Sequence, residues 1–158
     1  MATVNVCETF VSIQGESTYA GLSCFFIRLA GCNLRCRYCD TTYAYTPGSE
    51  APIEQLVSES RAAKTAIVEI TGGEPLLQPA FRELASALRD RGGKPVLAET
   101  NGSRDISAIP TGVIAIMDVK CPGSGESESM DPANIGRLRP QDEVKFVLSD
   151  RNDYEWAR

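Results

Sequence analysis

Residues Ser23 to Asp40 read SCFFIRLAGCNLRCRYCD. The run Ser23–Leu29 is aromatic and branched and stops before Gly31, which is the pattern of a buried strand. The loop that follows carries Cys32, Cys36 and Cys39 at spacing C-x3-C-x2-C. A strand that ends in a chemistry-bearing loop sets the question for the rest of the chain: whether other strands end the same way.

They do. Val4–Ile13 is a strand-like entry. Thr65–Ile70 reads as a strand ending at Gly72-Gly73-Glu74, Pro95–Glu99 as one ending at Asn101-Gly102, and Val113–Val119 as one ending at Lys120-Cys121. Pro52 opens a helix with Ile53, Leu56 and Val57 at helical spacing. Pro79 starts a second, with Phe81, Leu84, Ala85 and Leu88 on one face and Gly92-Gly93 as its stop. Glu143–Leu148 is the last strand, and Asp150–Arg158 begins a helix. Gly123–Asp131 (GSGESESMD) reads as a flexible polar loop. Strand–helix alternation predicts an α/β fold of βαβ units with a mainly parallel sheet, and one domain over residues 1–158. Ligands of such sheets bind at the C-terminal strand edge, where all these motifs fall.

The chain has 158 residues, 42% hydrophobic and 23% charged, the balance of a globular domain with a real core. No apolar run approaches the ~18–20 residues of a membrane span. The start, MATVNVCETF, has no secretory pattern, so the expectation is a cytoplasmic protein without a membrane partner. A net charge of −5 argues against nucleic acid as a partner. There is no histidine, which removes Cys/His zinc sites and every Ser-His or Cys-His nucleophile pair.

Six cysteines in a chain with no sign of export, three of them within eight residues, suit a metal better than disulfides. Zinc knuckles and iron–sulfur clusters normally take four thiolates. Cys7 and Cys24 sit inside apolar strand patterns, where cysteine acts as a small hydrophobe. Cys121, at a strand end, is the alternative fourth ligand. The favoured reading is three ligands and an open position, the arrangement of a catalytic metal site.

The cysteine spacing resembles the signature of the radical S-adenosylmethionine (SAM) enzymes. In those, three cysteines hold a [4Fe-4S] cluster and the fourth iron takes the amino and carboxylate groups of SAM. The likeness is closer still to the 7-carboxy-7-deazaguanine synthase family. It is carried by Ser12-Ile13-Gln14-Gly15-Glu16-Ser17, Phe26–Leu34, Tyr38-Cys39-Asp40-Thr41-Thr42-Tyr43 and Thr71-Gly72-Gly73-Glu74-Pro75-Leu76-Leu77-Gln78. The QGE segment before the cysteines and the CDT after them are its specific parts.

The resemblance implies a partial TIM-type barrel and conversion of 6-carboxy-5,6,7,8-tetrahydropterin to 7-carboxy-7-deazaguanine, with loss of ammonia, toward queuosine. It implies a [4Fe-4S] cluster on Cys32, Cys36 and Cys39, SAM, and Mg²⁺ on Thr41. SAM would lie against Tyr38, Cys39, Asp40, Gly73, Asp118, Val119 and Lys120, with Glu99 and Asn101 at its ribose or amino group. The pterin would be held by Ile13, Gln14, Gly15 and Glu16, by Arg28 at its carboxylate, and by Thr71. No protein side chain would itself be the catalyst. A homodimer and an electron donor such as flavodoxin or ferredoxin are implied too. The family usually runs further, so the resemblance carries the expectation that the last strand of the barrel is missing here. A glycyl-radical-enzyme activase and a non-catalytic metal-binding module are the rival readings.

Overall fold

Side chains alternate between the two faces of a strand, and this alternation builds the molecule. On β2 (Ser23–Leu29) Phe25, Ile27 and Leu29 enter the main core, Cys24 and Phe26 enter a smaller one, and Arg28 faces a cavity. The same split recurs on β4 (Ile67–Gly72), β5 (Val96–Thr100) and β6 (Val113–Asp118). Val68, Ile70, Val96, Ala98, Val113, Ala115 and Met117 join the main core, while Ile67, Leu97 and Ile116 join the smaller one. This is a computed structural model that describes residues 2–158.

The other strands are β1 (Thr3–Ile13), β3 (Ser49–Pro52) and β7 (Glu143–Lys145). All seven form one sheet in the order β3-β1-β2-β4-β5-β6-β7. Pairs from β2 through β7 are parallel, whereas β1 runs antiparallel to β2 and to β3. Helices α1 (Ile53–Ala62) and α2 (Phe81–Arg91) cover one face, burying Ile53, Leu56, Val57, Phe81, Leu84, Ala85 and Leu88 in the main core. The sheet does not close, so the expected partial barrel is what forms.

Side chains bridge its open side. The β1–β2 connection curls across to β7: Lys145 pairs with Glu16, and Glu143 Oε2 accepts from the Thr18 N–H at 3.1 Å. Since Ile13 stands opposite Ser23, the first residue of β2, the segment after β1 reaches the interior from the opposite end to the cysteine loop. It does not lie on the C-terminal edge with the other motifs.

Three further departures from expectation have local causes. The strand Ser49–Pro52 (SEAP) has no apolar alternation and exists only because Thr3–Val6 offers it an edge. The short helix α3 (Asn134–Arg137) is held by Asn134, whose buried amide bonds the Gly102 and Arg104 carbonyls and accepts from the Ile106 N–H. Strand β7 is only three residues long, after which Asp150 caps α4 (Arg151–Ala157) through the Asp153 N–H at 2.9 Å.

The loop Gly123–Asp131 is not loose. It contains two 3-10 turns, and Ser124 within it is fully buried. Its polar groups are used by the cysteine loop: the Arg37 N–H donates to the Ser124 carbonyl at 2.9 Å and the Arg35 N–H to Glu126 Oε1 at 2.7 Å. Asp153 of α4 holds the other side, accepting from the Gly123 N–H at 2.7 Å.

Candidate active site

One cavity of about 360 Å³ opens at the C-terminal strand edge, within the range of small-molecule sites. Cys32, Cys36 and Cys39 all line it. Two N–H groups point at the Cys32 sulfur, from Leu34 at 3.4 Å and from the Asn101 side chain at 3.9 Å, and Tyr45 lines the cavity with Cys39. Burial raises the Cys32 and Cys36 thiols, so a metal that binds them must displace protons. Among the described residues no group of three or more Cys, Asp or Glu is gathered tightly enough for a single metal ion. Three thiols spread around a cavity suit a cluster, in which each cysteine takes its own iron, better than one zinc. Cys121 is fully buried against the Val119 carbonyl and does not line the cavity. As a fourth ligand it is out of place.

The Gly-Gly turn explains how the loop is seated. Gly73 donates its N–H to the Leu29 carbonyl at 3.0 Å, and the Glu74 N–H reaches the Gly31 carbonyl at 2.8 Å. A Cβ on Gly73 would lie 2.1 Å from that carbonyl oxygen. Glu74 itself does not face the cavity. It is fully buried and accepts from the Asn101 N–H, the Leu76 N–H and the Thr100 hydroxyl at 2.7, 2.9 and 2.9 Å, tying the end of β4 to the end of β5.

Of the other residues singled out in sequence, Tyr38, Asp40, Thr41, Gly73, Glu99, Asn101, Asp118 and Lys120 line the cavity, as do Gln14, Glu16, Arg28 and Thr71. Ile13, Gly15 and Val119 do not. Ile13 and Gly15 are exposed, and Val119 is buried in the main core with its N–H on the Lys145 carbonyl. Thr41 gives its hydroxyl to Asp40 Oδ1 at 2.8 Å. Arg28 bonds Glu8 through Nε at 2.9 Å and lies over the Phe10 ring. Among the described residues its two terminal amino groups have no hydrogen-bond partner, so a planar fork is left for a ligand anion. Asp118 pairs with Lys120 at 2.7 Å through Oδ2, while its Oδ1 is buried with no partner at all. An orphaned acceptor on a cavity wall is costly unless a ligand donor meets it. Together the thiols, the glycine cradle and this acceptor fit a cluster with a polar cofactor beside it.

Glu69, Lys145 and Tyr45 also line the cavity, and sequence reasoning missed them. The signal for Glu69 was present: it is the one charge inside the apolar run of β4. For Lys145 there was none, because β7 is short and half-exposed, and a strand-end lysine is usually no more than a solvated charge.

The chain matches the Radical SAM superfamily model over residues 26–113. A 7-carboxy-7-deazaguanine synthase of Koribacter versatilis is 46% identical over 158 residues, spanning 98% of this chain and 69% of that protein. One of Chlorobaculum tepidum is 45% identical over 160 residues, spanning 99% and 72%. In shape the chain is similar to the crystal structure of QueE from Escherichia coli, with a TM-score of 0.80 at 22% identity, covering 97% of this chain and 75% of that one. Together with the three-cysteine cavity, the sequence likenesses place the chain in the 7-carboxy-7-deazaguanine synthase family of the radical SAM superfamily.

Proposed function

We propose that the chain converts 6-carboxy-5,6,7,8-tetrahydropterin to 7-carboxy-7-deazaguanine, releasing ammonia, and so feeds a 7-deazapurine pathway such as that to queuosine. The observation that carries this is a single cavity lined both by the three cysteines and by Gln14, Glu16, Arg28 and Thr71. A [4Fe-4S] cluster held by Cys32, Cys36 and Cys39 would supply, when reduced, the electron for reductive cleavage of SAM, and SAM would supply the hydrogen-abstracting group.

The protein's own part is to hold and to exclude. Cys32, Cys36 and Cys39 hold the cluster. Tyr38, Asp40, Gly73, Asn101 and the Asp118–Lys120 segment hold SAM, with the free Asp118 oxygen accepting from its ribose or amino group. Arg28 grips the pterin carboxylate, Gln14 and Glu16 its polar edge, and Thr71 completes the subsite; Glu99, expected from the resemblance at SAM, hydrogen-bonds Thr71 and is assigned here to the pterin side instead. The Thr41 hydroxyl, a hard oxygen donor beside Asp40, would hold Mg²⁺, which would supply charge stabilisation to the substrate.

The chain acts as one domain on one sheet. The exposed Val11 and Ile13 of β1 support a homodimer, and flavodoxin or ferredoxin is the electron donor in the cytoplasm. No helix among the described residues is long and apolar enough to cross a membrane. An activase for a partner enzyme needs no such pterin subsite, and a non-catalytic module needs a fourth protein thiolate, which Cys121 does not bring to the cavity.

The test is anaerobic reconstitution, reduction, and addition of SAM with the carboxytetrahydropterin. Mass spectrometry should find carboxydeazaguanine and 5′-deoxyadenosine, and Cys36→Ala should abolish both along with SAM binding. Deoxyadenosine without deazaguanine would end the pterin assignment. Arg28→Lys keeps the charge but loses the fork. It is expected to raise KM for the pterin by about tenfold to a hundredfold, the worth of one charge-assisted bond, with little change in kcat. An unchanged KM would remove Arg28 from the subsite.

A further inference from the structure

The floor of the cavity carries a closed ring of polar groups that the cofactors do not explain. Glu69, on the inner face of β4, is 3% exposed. It accepts from the Gln14 amide nitrogen, and its carboxyl hydrogen-bonds that of Glu99. Glu99 also accepts from the Thr71 hydroxyl at 3.0 Å and pairs with Lys145. Lys145 pairs in turn with Glu16, whose N–H donates to Gln14 Oε1 at 3.0 Å. The ring therefore ties the segment after β1 to β4, β5 and β7.

Glu69 is buried and Glu99 largely so, and they share one ammonium, Lys145, so the two carboxyls cannot both be ionised there without uncompensated charge. Lys145 faces Glu99 and Glu16 and compensates the charge of Glu99. Glu99 is held below the usual range: burial works against this as the largest single influence, and Lys145 and Thr71 outweigh it. Glu69 meets only a neutral amide and another carboxyl. Burial, then the charge and hydrogen bond of Glu99, push it up to about 8. The groups that face it are Glu99 on β5, Lys145 on β7, Glu16 beyond β1, and the Cys24 thiol on β2. That thiol is pushed up to about 12 by its burial and stays neutral.

A protonated Glu69 is directional: its hydroxyl donates to Glu99 and its carbonyl accepts from Gln14. The Gln14 amide then has one orientation, nitrogen toward Glu69 and oxygen toward the Glu16 N–H. One amide N–H and one carbonyl lone pair remain for a ligand. We propose that Glu69 is a positioning residue of the substrate subsite, which locks the Gln14 amide and so selects a heterocycle presenting an acceptor next to a donor, as an aminopyrimidinone edge does. This rests on the reading of the cavity as a pterin site. Ionisation of Glu69 puts two carboxylates face to face and breaks their shared hydrogen bond, and their repulsion displaces the carboxylate that orients Gln14.

The test is calorimetric binding of the carboxytetrahydropterin to reconstituted, unreduced protein with SAM, between pH 6.5 and 9.5, for wild type, Glu69→Gln and Glu69→Val. Wild-type affinity should be level below the Glu69 pKa, fall above it and level off about tenfold lower. Glu69→Gln keeps both hydrogen bonds without a titrating group, so its affinity should match the low-pH wild type and stay level. Glu69→Val, which suits a strand interior, should fold as well as wild type and bind about tenfold more weakly at every pH, the worth of one buried hydrogen bond. Stability moves in step. The folded-state pKa of Glu69 lies above its unfolded value, so the wild type loses stability as pH rises from about 4.5 toward 8, and Glu69→Gln should lack that component. Wild-type binding of the pterin with an unaltered Glu69→Val affinity, or an alkaline fall that survives in Glu69→Gln, overturns the role of Glu69 alone. No pterin binding by wild type overturns the substrate reading, and the inference with it.

Discussion

Gly73→Ala is expected to leave the sheet folded and the iron lost. The added Cβ would sit 2.1 Å from the Gly31 carbonyl oxygen, 2.6 Å from its carbon and 2.8 Å from the Cys32 Cβ. None of these is a flexible chain end. The Gly31 carbonyl is held by the Glu74 N–H, and the Gly31 N–H by the Ala44 carbonyl at 2.7 Å, so the cysteine loop has no slack to take up the methyl. Overpacking of this kind typically costs about 1–3 kcal/mol, and here the strain relaxes by moving Cys32. Iron per chain after reconstitution should fall at least about tenfold, as the affinity tracks such a cost, while far-UV circular dichroism stays native. Full iron loading in Gly73→Ala would show that the two loops need not touch for the cluster to form. Gly72→Ala should behave alike, since Gly72 has φ +150° and its Cβ would lie 2.2 Å from the Leu29 carbonyl.

Glu74→Ala is expected to be the most destabilising single change near the site. It strands two backbone N–H groups and one hydroxyl in a place with no water access, each at about 1–3 kcal/mol, and leaves a cavity besides. The combined loss should be about 3–5 kcal/mol, a large part of the stability of a domain this size. Glu74→Gln retains one acceptor oxygen and should lose about half as much. Urea midpoints at constant m-value measure both. A Glu74→Ala loss under about 1 kcal/mol would mean that the β4 and β5 ends are joined by something other than this carboxylate. The residue stands in the motif that the family resemblance links to SAM, yet its carboxylate supports the glycine turn and the Asn101 backbone rather than a ligand.

The strands and helices that carry the site were legible because each has its own periodicity and its own stop signal. Phe25, Ile27 and Leu29 alternate with Phe26 and Arg28; Phe81, Leu84, Ala85 and Leu88 recur at helical spacing. Elements defined by a neighbour were not legible. Ser49–Pro52 is a strand because β1 is beside it. Gly123–Asp131 reads as loose polar chain but is ordered by backbone bonds to Arg35 and Arg37, ninety residues away in sequence.

The sequence by itself determined the parallel sheet, the edge on which the site motifs gather, the three-cysteine loop and the family. These follow from local spacing and from motifs that each occupy a few consecutive residues. Tertiary structure alone decided that Gln14 and Glu16 come up from the opposite end, that Cys121 turns away, and that Glu74 is a support. It alone brought Glu16, Glu69, Glu99 and Lys145 into one ring. A carboxyl's proton depends on burial and on which charges face it, and here those charges arrive from four separate strands and loops.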